Sequence, residues 1–257
     1  VKPAEASDVV VVCLGESKQW SGENASRSTI ALPDIQEKLL LHLKQANKPI
    51  VLVLSSGRPL ELIRLEPQVE AIIEMWQAGG AGGAPLAGIL SGRVNPSGKL
   101  SVTFPLSTGQ IPVYYNMRQS ARPFEAMGDY QDIPTEPLYP FGYGLSYTTF
   151  TYSDAKLSSL KIKITAEVTV TNAGKVEGKE TVLWYVSDPF CSISRPMKEL
   201  KFFEKQSLKA GESRVFRFEI DPMRDLSYTD ATGKRFLEAG EFIVSVGGRK
   251  LTFEVVD

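Results

Sequence analysis

Asp8–Leu14 reads DVVVVCL, an unbroken run of mostly β-branched apolar residues near the start of the chain. Such a run is typical of a strand buried on both faces, as in a parallel sheet. A similar run, PIVLVLSSG, occupies Pro49–Gly57, and VEAIIEMW at Val69–Trp76 predicts a third strand. After Pro33, which suits a first helical turn, apolar residues recur at helical spacing: Ile35, Leu39, Leu40 and Leu43. Strand, helix and strand in this order predict a mostly parallel sheet with helices on its faces.

A glycine-rich turn, GGAGGAPLAGILSG at Gly79–Gly92, follows the third predicted strand and leads into a short helix of small residues. Lys99–Pro105, KLSVTFP, is predicted to close the series as a further strand. The glycines resemble a phosphate-binding turn, but Pro85 stands at the third glycine position of GxGxxG and no acidic residue lies near position 100. Tight packing of a strand against a helix explains them, so a nucleotide-binding α/β module is only an alternative function.

From about residue 152 onward the hydrophobic period becomes two. The alternating segments are KIKITAEVTVTN at Lys161–Asn172, then TVLWYVSD, SRVFRFEI and EFIVSVGG, with turn signals such as NAGKVEG and LKAGES between them. This pattern predicts an all-β sandwich of about 100 residues. The aromatic run at Leu183–Asp188 alternates like a core strand, which favours core packing over the alternative of a carbohydrate-binding module.

The predicted domain organisation has three parts. An α/β domain covers residues 1–115, an ordered connector rich in Tyr, Phe, Pro and Gly covers 116–151, and the β-sandwich covers 152–257. The connector ends in FGYGLSYTTF at Phe141–Phe150, which is aromatic enough to line a sugar site or to anchor the connector by burial.

Composition excludes several classes of function. Among 257 residues, 29 Lys and Arg balance 30 Asp and Glu, which leaves no basic field for nucleic acid or an anionic membrane. No apolar run approaches the roughly 18 residues of a membrane span, and the first residues do not form a signal peptide. The single histidine, His42, lies in an apolar helical run, and Cys13 and Cys191 are far apart. Neither a metal site nor a disulfide framework is therefore expected.

Gly15–Ile30, GESKQWSGENASRSTI, is the segment whose residue types best suit catalysis or ligand binding. It leaves the carboxyl end of the first predicted strand, where ligands bind in open parallel sheets. It carries two carboxylates, Glu16 and Glu23, with Trp20 between them and Arg27 after them. A tryptophan face suits the apolar side of a sugar ring, and a loop carboxyl can be tuned by burial as a proton donor. On the residues alone, a solvated loop whose glutamates have no function is the favoured interpretation, and Arg58 either pairs with carboxylates or is solvated.

Several stretches together resemble the C-terminal part of glycoside hydrolase family 3, near the bacterial periplasmic β-glucosidases. They are GESKQWSGENASR, KPIVLVLSSGRPL, NPSGKLSVTFP with QIPVYY, LYPFGYGLSYTTF, SRPMKELKFFEK and LKAGES. They occur in the family's order over nearly the whole chain, and no single short motif decides the resemblance.

The resemblance implies a retaining hydrolase built from a (β/α)8 barrel with an aspartate nucleophile, an α/β sandwich with an acid/base glutamate, and a fibronectin type III-like domain. The second glutamate of the matching segment, Glu23, takes the acid/base role, and Glu16 takes an orienting or structural one. Trp20, Glu16 and Arg27 are the expected substrate-binding residues. The substrate is an oligosaccharide or β-glucoside, and no metal or organic cofactor is required.

The chain departs from the family pattern at its start. No barrel sequence precedes Val1, and the α/β sandwich is expected to lack its first strands. We therefore expect the given sequence to begin inside the α/β domain. The barrel of the same protein is thus the expected partner, and we expect this chain alone to be inactive. The family's setting implies a periplasmic or secreted enzyme.

Overall fold

A computed structural model describes residues 1–118, 132–160 and 163–256. By its internal contacts the chain divides into two compact units. The first comprises the described residues of Val1–Ser91, Ser101–Val113 and Gly128–Phe141, and the second those of Gly92–Leu100, Tyr114–Met127 and Gly142–Asp257. The domain bounds expected from the sequence stay a prediction.

The first unit contains a three-stranded parallel sheet. Its strands are β1 (Val10–Gly15), β2 (Ile50–Ser55) and β3 (Ala71–Glu74), in the order β1-β2-β3. The register aligns Val12 with Leu52 and Leu52 with Ile72. The three predicted strands and their parallel direction are confirmed. The expected burial on both faces is wrong for β1, because Val12 and Leu14 are buried whereas Val11 and Cys13, on the other face, are exposed.

Three helices belong to this unit: α1 (Lys2–Glu5), α2 (Asp34–Leu43) and α3 (Gly83–Leu90). Helix α2 begins directly after Pro33, as predicted, and it buries Leu40 completely. His42 lies on this helix, with its side chain exposed. Short 3-10 turns occupy Lys18–Trp20, Lys44–Ala46, Glu66–Gln68 and Thr108–Gln110.

The prediction of a strand at Lys99–Pro105 is wrong, because this segment forms only isolated pairings. Phe104 forms an isolated bridge with Tyr139, and Leu100 exchanges backbone hydrogen bonds with the segment at Gly142 and Tyr143. The residue next to Tyr139 is Pro140, which has no N–H to donate, so a continuous ladder cannot form. The alternating pattern of KLSVTFP therefore marks two short pairings.

The second unit is all-β. Its strands are β4 (Phe150–Leu160), β5 (Lys163–Asn172), β6 (Gly178–Ser187), β7 (Glu199–Leu208), β8 (Ser213–Ile220), β9 (Tyr228–Thr229), β10 (Arg235–Phe236), β11 (Gly240–Val246) and β12 (Arg249–Val255). They form a four-stranded sheet in the order β12-β11-β6-β7, a three-stranded sheet in the order β4-β5-β8, and the small pair β10-β9. A single π-helical turn lies at Pro222–Leu226.

The core of this unit lies between the two larger sheets. Trp184 on β6 is fully buried and its ring centroid lies 6.1 Å from that of Phe218 on β8. Val182 and Val186 are buried on the same face of β6 as Trp184, and Leu183 and Tyr185 on the opposite face are only partly buried. The inward and outward alternation predicted for Leu183–Asp188 is thus confirmed as core packing.

Only part of the predicted connector can be described, because residues 119–131 lie outside the described ranges. In the second unit, the ring of Tyr115 meets that of Tyr185 at 6.0 Å between centroids. A Cβ at Gly142 would come within 2.7 Å of Leu183, so this glycine lies directly against β6. Tyr115, just before the predicted connector, and Gly142 within it therefore both lie against β6, and the role of the connector aromatics stays a prediction.

Candidate functional site

The carboxyl ends of β1, β2 and β3 meet at one edge of the parallel sheet. The segment that starts at Glu16 leaves β1 there, the segment Ser56–Gly57–Arg58 leaves β2, and Glu74 ends β3. Gln36 of α2 fixes the end of β1, because its side-chain amide exchanges two hydrogen bonds of 2.9 Å with the backbone of Gly15. The predicted chemical segment therefore starts from a rigid base.

Glu16 is a buried ionic anchor. Its side chain is 2% exposed, and its carboxylate lies 3.1 Å from Nε of Arg58 and 3.4 Å from Nη1 of Arg27. The backbone N–H of Gly57 also donates to it at 3.2 Å. Two cations and a backbone donor compensate for the desolvation of this carboxylate.

Arg58 holds the loop that carries Glu23. Its Nη2 donates to the carbonyl oxygen of Trp20 and, at 3.2 Å, to that of Ala25. These two carbonyls lie on either side of Glu23 in sequence. One planar guanidinium thus binds Glu16 through Nε and both flanks of the loop through Nη2. Of the two interpretations of Arg58, pairing with a carboxylate is confirmed.

Arg27 and Trp20 form the second contact within the loop. The guanidinium carbon of Arg27 lies 3.6 Å from the centroid of the Trp20 ring, a close cation–π arrangement. Nη1 of Arg27 also donates to the carbonyl of Ala31 at 3.3 Å. Three of the four predicted site residues, Glu16, Trp20 and Arg27, are therefore joined in one network.

Glu23 differs from the other three because its side chain is exposed. Within residues 1–118, 132–160 and 163–256, no ion pair includes it. The next residue, Asn24, has a φ of 59°, a left-handed conformation that asparagine tolerates better than most residues. The loop turns sharply at this point and presents the carboxyl of Glu23 outward.

A cavity of about 400 Å³ opens beside this loop. Its polar lining includes Lys18 and the hydroxyls of Ser17, Ser21, Ser55 and Ser56. Its other wall is the segment Met75–Gly83, which contains the glycine-rich turn.

Close packing explains two glycines around this cavity. A Cβ at Gly57 would lie 2.0 Å from Oγ of Ser21, and one at Gly82 would lie 2.6 Å from Cβ of Ala78. In the glycine-rich turn the predicted tight packing holds for Gly82 alone, because a Cβ at Gly79, Gly80 or Gly83 would meet nothing within 4 Å. In the part of the chain that the structure describes, no group of three or more His, Cys, Asp or Glu residues could hold a metal ion.

Glu74 is a residue that the sequence pattern did not single out. It ends β3, and its carboxylate accepts a hydrogen bond of 2.7 Å from the backbone N–H of Trp76. The hydroxyl of Ser56 lies 3.3 and 3.4 Å from its two oxygens. Burial, followed by the negative charge of Glu16, raises the pKa of Glu74 to about 7. The sequence could have pointed to Glu74, because it is a carboxylate at the carboxyl end of a predicted parallel strand.

Cys13 and Cys191 are free thiols. Among the described residues, no helix has the length and apolar character needed to cross a membrane.

Two family models match the chain. Residues 1–147 match the glycosyl hydrolase family 3 C-terminal domain, and residues 180–250 match a fibronectin type III-like domain. Both matches agree with the mixed α/β first part and the antiparallel second part of the structure.

Similar proteins include named glycosidases. The chain is 46% identical to a periplasmic beta-glucosidase of Salmonella typhimurium and 37% identical to a beta-xylosidase of Formosa agariphila, with 96% of this chain and 34% of the relative covered in each case. A mutant beta-glucosidase of Listeria innocua, solved in complex with laminaribiose, superposes with a TM-score of 0.91 at 41% identity, over 98% of this chain and 37% of that one. The chain thus spans about a third of the length of the relatives it matches.

Proposed function

The chain belongs to glycosyl hydrolase family 3, and on that premise we propose that it is the C-terminal portion of a retaining β-glucosidase with Glu23 as the acid/base. Its substrates would be oligosaccharides or β-glucosides with a terminal non-reducing β-D-glucosyl residue. The nucleophile would be an aspartate in an N-terminal (β/α)8 barrel of the same protein. The relatives' names, and the third of their length that the chain covers, support this assignment.

The observation that carries the proposal is the contrast between the two glutamates of the loop. The side chain of Glu16 is 2% exposed and its carboxylate is bound by two arginines, which compete with a substrate for it. Glu23 is exposed on a turn whose two flanks are bound by Arg58. A proton donor must reach the leaving oxygen and still be held in position, and an exposed carboxyl on an anchored loop suits these requirements better than a buried, paired one.

In this mechanism Glu23 acts twice. The nucleophile attacks the anomeric carbon while the bond to the leaving oxygen breaks and the carboxyl of Glu23 gives that oxygen its proton. In the second step the Glu23 carboxylate takes a proton from water, the water oxygen attacks the anomeric carbon, and the nucleophile's carboxylate departs. No step in this scheme calls for a metal ion or an organic cofactor.

Trp20, Glu16 and Arg27 complete the proposed substrate-binding region. Trp20 brings an indole ring next to the acid/base turn, and Arg27 covers one face of that ring. Glu16 contributes through the two arginines that it holds. We place the enzyme in the periplasm or outside the cell, on the evidence of the Salmonella relative's name.

The test compares leaving groups in the full-length protein. Glu23→Ala is expected to lower kcat/KM for cellobiose by at least about 100-fold, because general acid catalysis contributes 10²–10⁴-fold. An activated aryl β-glucoside needs no protonation, so its first step is largely retained, and added azide is expected to restore turnover. Glu5→Ala, which removes an exposed carboxylate of α1, is the matched control. Equal activity of the Glu23→Ala variant and the wild type on cellobiose would remove Glu23 from this role.

A further inference from the structure

Glu74 lies behind the acid/base loop and is not among the residues to which the proposed mechanism gives a role. Its partly buried carboxyl is held by the N–H of Trp76, whose φ of 51° places it in the left-handed region. The hydroxyl of Ser56 lies between this carboxyl and the carbonyl of Arg58, which it contacts at 2.8 Å. A chain of contacts therefore runs from Glu74 through Ser56 to Arg58.

The charges that face Glu74 come from the two neighbouring strand ends. Glu16, after β1, is the negative charge that raises its pKa, and Arg58, after β2, is bound to Glu16. The segment after β3, from Ala78 to Leu90, contains no charged residue. Burial and Glu16 together bring the pKa of Glu74 to about 7, so both its forms are populated near neutral pH.

The hydrogen bonds from Trp76 and Ser56 favour the carboxylate of Glu74, whereas its burial and the charge of Glu16 favour the protonated form and outweigh them. Ser56 has a single hydroxyl proton and two acceptors nearby, the Arg58 carbonyl at 2.8 Å and the Glu74 carboxylate at 3.3 Å. A protonated Glu74 can donate to Oγ of Ser56, which then donates to the Arg58 carbonyl without competition. An ionised Glu74 competes for that proton and repels Glu16.

We propose that Glu74 is a positioning residue for the acid/base loop, acting through Ser56 and the Glu16–Arg58 pair. When protonated, it keeps the Arg58 backbone and the Glu16 carboxylate in the arrangement that binds the loop on both sides of Glu23. When ionised, it loosens that arrangement and misplaces the proton donor. The inference rests on the proposed role of Glu23 and adds a second titrating group to the reaction.

The test is the pH profile of kcat/KM for cellobiose in the full-length protein. The protonated fraction of a group with a pKa of 7 falls about tenfold between pH 6 and pH 8. The wild type is therefore expected to lose about tenfold more activity over this range than Glu74→Gln, whose neutral amide cannot ionise. Glu70→Gln, which removes an exposed carboxylate just before β3, is expected to retain the wild-type profile. Equal pH 6 to pH 8 ratios for the wild type and Glu74→Gln would overturn the proposal.

Two further variants separate positioning from general structural damage. In a Glu23→Ala background, with an activated aryl β-glucoside, Glu74→Gln is expected to change kcat/KM less than about twofold at every pH, since no proton donor is left to position. A loss as large as in the wild-type background would show a merely structural role. Ser56→Ala interrupts the contact chain but keeps the carboxyl, and a wild-type profile for this variant would also contradict the proposal.

The two proposals fail in different ways. Full activity of Glu23→Ala on cellobiose contradicts the acid/base assignment whatever Glu74 does. Azide rescue of Glu23→Ala, together with no effect of Glu74→Gln on the pH profile, leaves the acid/base assignment in place and contradicts only the positioning role.

Discussion

At the scale of single residues, Arg58 matters for the geometry of its side chain as well as for its charge. Its guanidinium contacts Glu16 with Nε and two loop carbonyls with Nη2, which a lysine ammonium cannot reproduce. Arg58→Lys in the full-length protein is therefore expected to lower kcat/KM for cellobiose at least tenfold.

The stability cost of Arg58→Lys is expected to be about 1–3 kcal/mol, because Glu16 stays buried with poorer partners. Arg64→Lys is the matched control, since that side chain is 73% exposed and pairs with Glu37 at 3.4 Å. The control is expected to change the free energy of unfolding by less than about 0.5 kcal/mol. Denaturant unfolding and initial rates measure both effects, and equal rates for Arg58→Lys and the wild type would contradict the role of the guanidinium.

Glu74 also predicts a pH dependence of stability. Its pKa in the folded state, about 7, is above the ordinary value of 4.5, so the folded state holds this proton more tightly. Its stabilising contribution is complete below pH 4.5 and is lost as the pH rises to 7, by about 3 kcal/mol in total. Glu74→Gln is expected to remove this loss, so the variant gains on the wild type between pH 4.5 and pH 7. If the free energy of unfolding depends on pH in the same way in the two proteins over this range, Glu74 titrates normally and the prediction is wrong.

At the scale of elements, the parallel strands could be predicted from the sequence, because short runs of β-branched apolar residues such as DVVVVCL are typical of strands in a parallel sheet. The prediction failed at Lys99–Pro105, where pairing is limited to single positions opposite a segment with Pro140. It also passed over Glu74, because VEAIIEMW has the pattern of a buried strand and hides the carboxylate at its end. The approach of Glu74 to Ser56 and Glu16 depends on the order β1-β2-β3, which local patterns do not contain.

The end of β5 depends on a buried asparagine. Asn172 is fully buried and donates to the carbonyls of Val176 and Leu208, at 2.8 and 3.0 Å. Its side-chain oxygen accepts from Oγ1 of Thr148 and from the N–H of Gly174. Asn172→Ala is expected to cost about 3 kcal/mol, because several buried groups lose their partner together.

The neighbouring substitution Thr171→Ala is the control for this element. Thr171 shares one exposed hydrogen bond with Ser213, so its loss is expected to cost less than about 1 kcal/mol. Thermal and denaturant unfolding of the two variants give the comparison. Equal losses would mean that the network around Asn172 does not stabilise the sandwich.

At the scale of the whole molecule, the predictable and unpredictable parts of the site differ in kind. The common location of Glu16, Trp20, Glu23 and Arg27 could be predicted, because they share one loop after one strand, and their function stays a proposal. The different environments of Glu16 and Glu23 could not be predicted, since they depend on Arg58, which follows another strand. The same glutamate type thus becomes a buried anchor at one position and an exposed carboxyl at the other.

The isolated chain provides the last test. A retaining double displacement needs a nucleophile that attacks the anomeric carbon and a second carboxyl that transfers the proton. In our proposal Glu23 is only the second of these, and the nucleophile belongs to the barrel. Purified residues 1–257 are therefore expected to hydrolyse neither an aryl β-glucoside nor cellobiose above the blank, at any pH from 5 to 8, while the full-length protein hydrolyses both. Turnover by the isolated chain at rates like those of the full-length protein, in a preparation free of host glycosidases, would mean that its own residues supply both carboxylates.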